Sequence, residues 1–195
     1  MKSLLRPLVI GAILLSAVPV WAEEKDKPDV GPNPAAQAAA DALRSFAGAD
    51  GAFLAGGSLK ETFNKDDMAT MLQFPTDEIV VLKLTGDQIL QAFERSVQFY
   101  PEQNKFFLQI SGFEVTFKKK AAPSGRVVGV KVGGVPLDKT KSYTVAMPSL
   151  LARNVGYSRI WDKAETKKKF PNTTLEDVLK GKKVSEEALR WVGQL

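Results

Sequence analysis

The stretch IVVLKLTGDQILQAFERSV, residues 79–97, changes its hydrophobic period halfway along. Ile79 to Leu84 is a β-branched apolar run and reads as a strand. Thr85-Gly86-Asp87 then supplies a turn and a helix cap. From residue 88 to 99 the apolar positions Ile89, Leu90, Phe93 and Val97 fall on one helical face. A strand running straight into an amphipathic helix predicts an α/β fold. Outward from this unit, Phe106 to Phe117 reads as one alternating strand, with Phe107, Gln109, Ser111 and Phe113 on one side and Leu108 and Ile110 on the other. Val127–Val132 and Ser142–Met147 read as further strands, and Ala52–Ala55 as a short buried one. The alanine-rich residues 35–47 predict a helix. Asp66 or Asp67 is placed to cap a short helix, and residues 173–180 and 184–192 read as helices capped by Thr173 and Ser185. The expected architecture is a single mixed-sheet α/β domain over 35–195.

The 195 residues are enough for one such domain, and their 44% hydrophobic and 25% charged composition is that of a globular protein. Residues 1–22 read as a signal peptide: Lys2 and Arg6 precede an uncharged apolar run, and Ala22 offers a small residue for cleavage. The run is short for a membrane span, so no stable anchor is expected after cleavage. The charged, proline-rich residues 23–34 read as a flexible leader. Removing residues 1–22 takes away two basic and no acidic side chains, leaving 25 Lys+Arg against 22 Asp+Glu. That surplus is too small to argue for nucleic acid. The cluster Lys167-Lys168-Lys169 reads as a solvated face, as do Glu94, Arg95 and Glu102. The chain has no cysteine and no histidine. Thiol nucleophiles, disulfides, imidazole acid–base chemistry and the common zinc ligand sets are therefore excluded. No catalytic residue, metal or cofactor is expected.

Several short signals follow one another in a fixed order. Asp41-Ala42-Leu43-Arg44 precedes Phe53-Leu54-Ala55-Gly56-Gly57-Ser58-Leu59-Lys60, then Phe74-Pro75, then Leu82-Lys83-Leu84-Thr85-Gly86-Asp87. Leu108-Gln109-Ile110-Ser111-Gly112, Gly134-Val135-Pro136-Leu137-Asp138, Lys141-Ser142-Tyr143-Thr144-Val145 and Gly156-Tyr157 continue the series. This order resembles the C-terminal domain of bacterial and animal 5'-nucleotidases. The resemblance covers residues 35–162 and leaves 163–195 as a generic helical tail. It implies an α/β substrate-binding domain, which in the family works beside a metallophosphatase domain with Asp, His and Asn metal ligands. With no histidine, this chain is expected to hold the binding half without the chemical half.

The resemblance also implies site residues. The family stacks a base between two aromatic rings, which by position are Phe107 and Tyr157 here; the competing reading makes both packing residues. Lys60 stands where the family has a ligand-contacting arginine, keeping the charge without the planar fork. Gly56 and Gly57 supply permissive backbone for a tight turn. Asp77 stands near a family asparagine and, while ionised, can accept but not donate hydrogen bonds. Arg153 and Asn154 precede Tyr157 in a loop one residue shorter than the family's. The expected function is an exported, periplasmic or secreted, non-catalytic module binding a nucleoside, nucleotide or other flat aromatic molecule. Two alternatives stand beside it: the substrate-binding half of a hydrolase completed in trans by a separate metallophosphatase, and a protein-interaction module with a lost pocket.

Overall fold

The computed structural model describes residues 27–185 and 190–195. The expected signal peptide, 1–22, lies outside them. Helix α1 is Pro34–Ala47, capped by the Asn33 side chain at its start and by left-handed Gly48 at its end. Strand β1 is Gly51–Ala55, followed by a 3-10 turn, Gly56–Ser58. A second 3-10 turn, Met68–Met71, is capped by Asp67, as one of the two expected caps. Strand β2, Glu78–Thr85, leads into helix α2, Gly86–Val97, through a Thr85–Gln88 capping box. The period change at residues 79–97 is thus the strand-to-helix turn expected.

The run 106–117 does not form one strand. It splits into β3, Leu108–Ser111, and β4, Phe113–Lys118. Gly112 between them has φ 80°, and a Cβ there would lie 2.1 Å from the Asp50 carbonyl oxygen. The chain changes sheet at this glycine. Strands β5 (Val127–Val132), β6 (Val135–Pro136) and β7 (Ser142–Pro148) follow. Two short helices, α3 (Ser149–Ala152) and α4 (Val155–Trp161), precede strand β8 (Glu165–Thr174) and helix α5 (Leu175–Leu179). The cap of α5 is Thr174, one residue after the expected Thr173. The expected helix at 184–192 falls partly on residues outside the description; its described C-terminal part is strand β9, Trp191–Gln194.

The mixed α/β class holds, but the strands are dealt into two sheets. The first has order β3-β1-β7-β2-β8, the second β6-β5-β4-β9. Among the described residues, only β1–β7 and β4–β9 are parallel pairs. Strand β2 is buried on both faces: Ile79 and Val81 face the core under α1 and α5, while Val80, Leu82 and Leu84 face the core shared with α2 and the second sheet. That double burial is why its sequence is a continuous apolar run. The three lysines 167–169 stay exposed on β8, the sheet edge, where like charge discourages pairing with another chain.

Of the expected flexible leader, residues 27–33 are held against the domain. The buried Gln109 amide donates to the carbonyls of Pro28 (2.7 Å) and Gly31 (2.8 Å) and accepts from the Asn33 N–H (3.1 Å). Asp29 accepts from Gln103 and, through its carbonyl, from the Asn104 N–H.

Candidate functional site

The parallel strands β1 and β7 end side by side, and a cleft of about 210 Å³ opens beyond them. Clefts outside strand carboxyl ends are a common ligand position in open α/β sheets. Ala55, Gly57 and Ser58 come from the end of β1 and its turn; Pro148, Leu150 and Leu151 come from the end of β7 and α3. Phe74, in the loop before β2, forms one wall and is 52% exposed. Phe106, in the loop before β3, forms another and is half-buried. Lys105 and Asn154 add polar groups to this mostly apolar lining. The cavity is smaller than the roughly 300–1,000 Å³ usual for drug-sized ligands. Past the Phe74 ring lies a second, more polar groove that includes Thr76, Glu78 and Arg153.

The expected clamp residues occupy other places. Phe107 is 1% exposed and packs 5.2 Å from the Trp191 ring, so its side chain belongs to the core. Tyr157 is fully buried, stacked on Trp161 at 4.8 Å and 9°. Its hydroxyl donates to the Phe106 carbonyl at 2.5 Å. Burial pushes the Tyr157 phenol far above its ordinary range, so it remains a neutral donor. Neither ring lines the cleft. Its aromatic walls are Phe106, one residue before the expected position, and Phe74. Phe106 lies in the turn before β3 and stays half-buried, while Phe107, at the entry to the strand, is turned into the core.

Lys60 is exposed and pairs through its backbone with Met71; the cation lining the cleft is Lys105. Gly57 lines the cleft, and Gly56 is buried outside its lining. Both are required by close approach: a Cβ on Gly56 would sit 2.0 Å from the Pro28 carbonyl oxygen, and one on Gly57 2.6 Å from the Lys105 Cβ. Asp77 lines the cleft, yet its carboxylate accepts from the Ser149 hydroxyl (2.7 Å) and the Leu150 N–H (3.1 Å). It braces the loop carrying Phe74 against α3. Asn154 lines the cleft while its oxygen accepts from the Gly156 N–H at 2.7 Å. Arg153 borders the second groove and donates to Ser149 at 3.2 Å. The Phe74-Pro75 pair was the sequence signal that falls on this cleft.

Among the described residues there is no group of three or more Asp, Glu, His or Cys placed to hold a metal ion. No described helix is long and apolar enough to cross a membrane.

Comparison with known proteins matches residues 18–159 to the family described as 5'-nucleotidase, C-terminal domain. The chain is similar to the snake venom 5'-nucleotidase of Crotalus adamanteus, at 35% identity over 80 residues, 37% of this chain and 14% of that protein. It is similar to the 5'-nucleotidase of Mus musculus at 34% identity over 100 residues, 47% of this chain and 17% of that one. The matched segments are thus under a fifth of these relatives' lengths. Among solved structures, the 5'-nucleotidase precursor of Thermus thermophilus shares the fold with a TM-score of 0.70 at 24% identity, covering 83% of this chain and 35% of that one. The NAD nucleotidase of Haemophilus influenzae does so at 0.65 and 15%, covering 88% and 36%.

Proposed function

The chain belongs to the 5'-nucleotidase C-terminal domain family, and on that premise we propose that it is a binding module for a flat aromatic small molecule of the nucleoside or nucleotide class. The ligand ring sits between Phe74 and Phe106, and Lys105, Ser58 and Asn154 supply polar contacts. The observation that carries this reading is that two aromatic side chains from separate loops, the exposed Phe74 and the half-buried Phe106, line one mostly apolar cleft at the strand ends. Stacking of a base on an aromatic side chain is worth about 1–3 kcal/mol and tolerates any base, because every base has a π-face.

The module does no hydrolysis with its own residues. In support, the whole sequence holds neither histidine nor cysteine, and the one carboxylate in the cleft, Asp77, is committed to Ser149 and Leu150. Export to the periplasm or beyond fits the apolar N-terminal segment. Amino-terminal sequencing of the protein recovered from fractionated cells tests it: Glu23 as first residue supports export, and an intact Met1 in the cytoplasmic fraction refutes it.

Calorimetry of residues 23–195 against nucleosides, nucleotides and aromatic metabolites tests the binding reading. Binding that weakens in Phe74→Ala, with thermal stability unchanged, supports it. Silence from the folded protein at millimolar ligand overturns it and favours a protein-interaction module.

A second reading rests on the rim. Phe74 and Leu150 (46% exposed) line the cleft and leave apolar surface at it, and Val155, next in sequence to the lining residue Asn154, is 83% exposed. A separate metallophosphatase covering this rim would complete both the cleft and a hydrolase. Nucleotide hydrolysis appearing only on mixing the two proteins would establish it.

A further inference from the structure

Phe106 carries a fixed positive charge over its ring. The Arg95 guanidinium carbon lies over that ring, 5.6 Å from its centroid, and over the Phe99 ring at 5.9 Å. Arg95 borders a separate groove with Leu90, Gln98 and Ile160 and takes no part in lining the cleft. It thus approaches Phe106 from outside the cleft lining. Its Nη1 donates to the neutral Gln98 Oε1 at 2.5 Å, and among the described residues it makes no salt bridge. The neighbouring carboxylate, Glu94, is spent on the backbone N–H groups of Gly125, Arg126 and Val127. The positive charge over Phe106 is thus left without a paired anion.

The ring is also held in place. The Phe106 N–H donates to Asn104 Oδ1 at 3.0 Å, and its carbonyl accepts from the Tyr157 hydroxyl. Tyr157 meets the ring edge-on, with centroids 6.3 Å apart. Gly156 lies so close that a Cβ there would be 3.3 Å from the ring. The wall cannot easily turn its other face to the ligand.

A cation behind an aromatic ring draws π-density toward itself and leaves the front face less negative. A ligand ring stacked on that front face, at an ordinary contact distance of about 3.5 Å, feels both the altered face and the charge behind it. Electron-rich rings gain from this arrangement and cationic rings lose. We infer that Arg95 is a specificity-determining residue, which makes the cleft select neutral, electron-rich heteroaromatic rings such as purines over cationic rings. The inference rests on the aromatic-binding reading of the cleft.

Adenosine and nicotinamide riboside test it, because they share a ribose and differ in ring charge. Calorimetry of the wild-type protein, residues 23–195, gives the affinity ratio, expected to favour adenosine. In Arg95→Met that ratio falls by about three- to tenfold, the scale of a partly screened charge interaction at this range. Arg95→Lys retains most of it, because the charge stays although the planar stack is lost. A purely structural role for Arg95 would weaken both ligands equally. A ratio unmoved in Arg95→Met, with both ligands bound by the wild type, overturns the inference and leaves the cleft reading standing. Binding of neither ligand overturns both.

Discussion

Tyr157 shows how one side chain serves the cleft without touching it. Its hydroxyl fixes the Phe106 backbone, and its ring meets Phe106 edge-on while stacking on Trp161. Tyr157→Phe should lose about 0.5–1.5 kcal/mol of stability, the net worth of one hydrogen bond, as read by urea unfolding. It should also weaken ligand binding, because the wall loosens. Phe74→Ala should separate the two effects, since an exposed ring contributes to binding and little to folding. The sequence pointed to Phe107 and Tyr157 as the rings of a clamp, and both are buried outside the cleft lining. Which aromatic presents a face to the cleft was not legible, because Phe106 and Phe107 are adjacent and both apolar. Arg95 read as a solvated charge because Phe106, one of the two rings it covers, lies beyond its helix.

Among the elements, helix α5 and the segment before α1 offer separate tests. The Asp177 carboxyl is held below its ordinary value, first by the Thr174 backbone N–H and then by the Thr174 hydroxyl. A lowered folded-state pKa adds stability above the unfolded pKa, and that stability is lost as pH falls through the folded value. Asp177→Asn should therefore be slightly less stable than wild type near neutral pH. The difference should shrink below about pH 4, the ordinary carboxylate range, in thermal unfolding followed against pH. Gln109 is the brace for residues 28–33, with three hydrogen bonds to their backbone. Gln109→Leu should strand those groups and cost about 1–3 kcal/mol or more. Faster amide exchange at Asn33 and proteolysis within 27–33 would confirm it; unchanged protection would refute the brace. The apolar run of β2 and the helical period of α2 were legible. Strand β8 was not, because its exposed polar sequence ETKKKFPNTT has neither period; it pairs with β2 along one edge.

For the molecule as a whole, the C-terminal strand β9 closes the second sheet beside β4 and drives Trp191 into the main core. The Trp191 ring lies 5.4 Å from Phe93, 5.2 Å from Phe107 and 5.9 Å from Phe117, and its N–H donates to the Leu108 carbonyl. Arg190 beside it pairs with Asp41 of α1 at 2.6 Å. Trp191→Ala should cost about 3–5 kcal/mol, the scale of deleting a large buried aromatic, measured by chemical denaturation; a loss under about 1 kcal/mol would mean the tail is an accessory. Residue order alone decided the α/β class, the strand–turn–helix at 79–97, the family resemblance and the exclusion of imidazole and thiol chemistry. These depend on residue identity and on bonds within a few positions of the chain. The two-sheet division, the place of the tail and the choice of Phe74 and Phe106 as cleft walls came from the tertiary structure. Each depends on partners far apart in sequence, as Trp191 and Leu108 are, and on which face of a doubly apolar segment those partners cover.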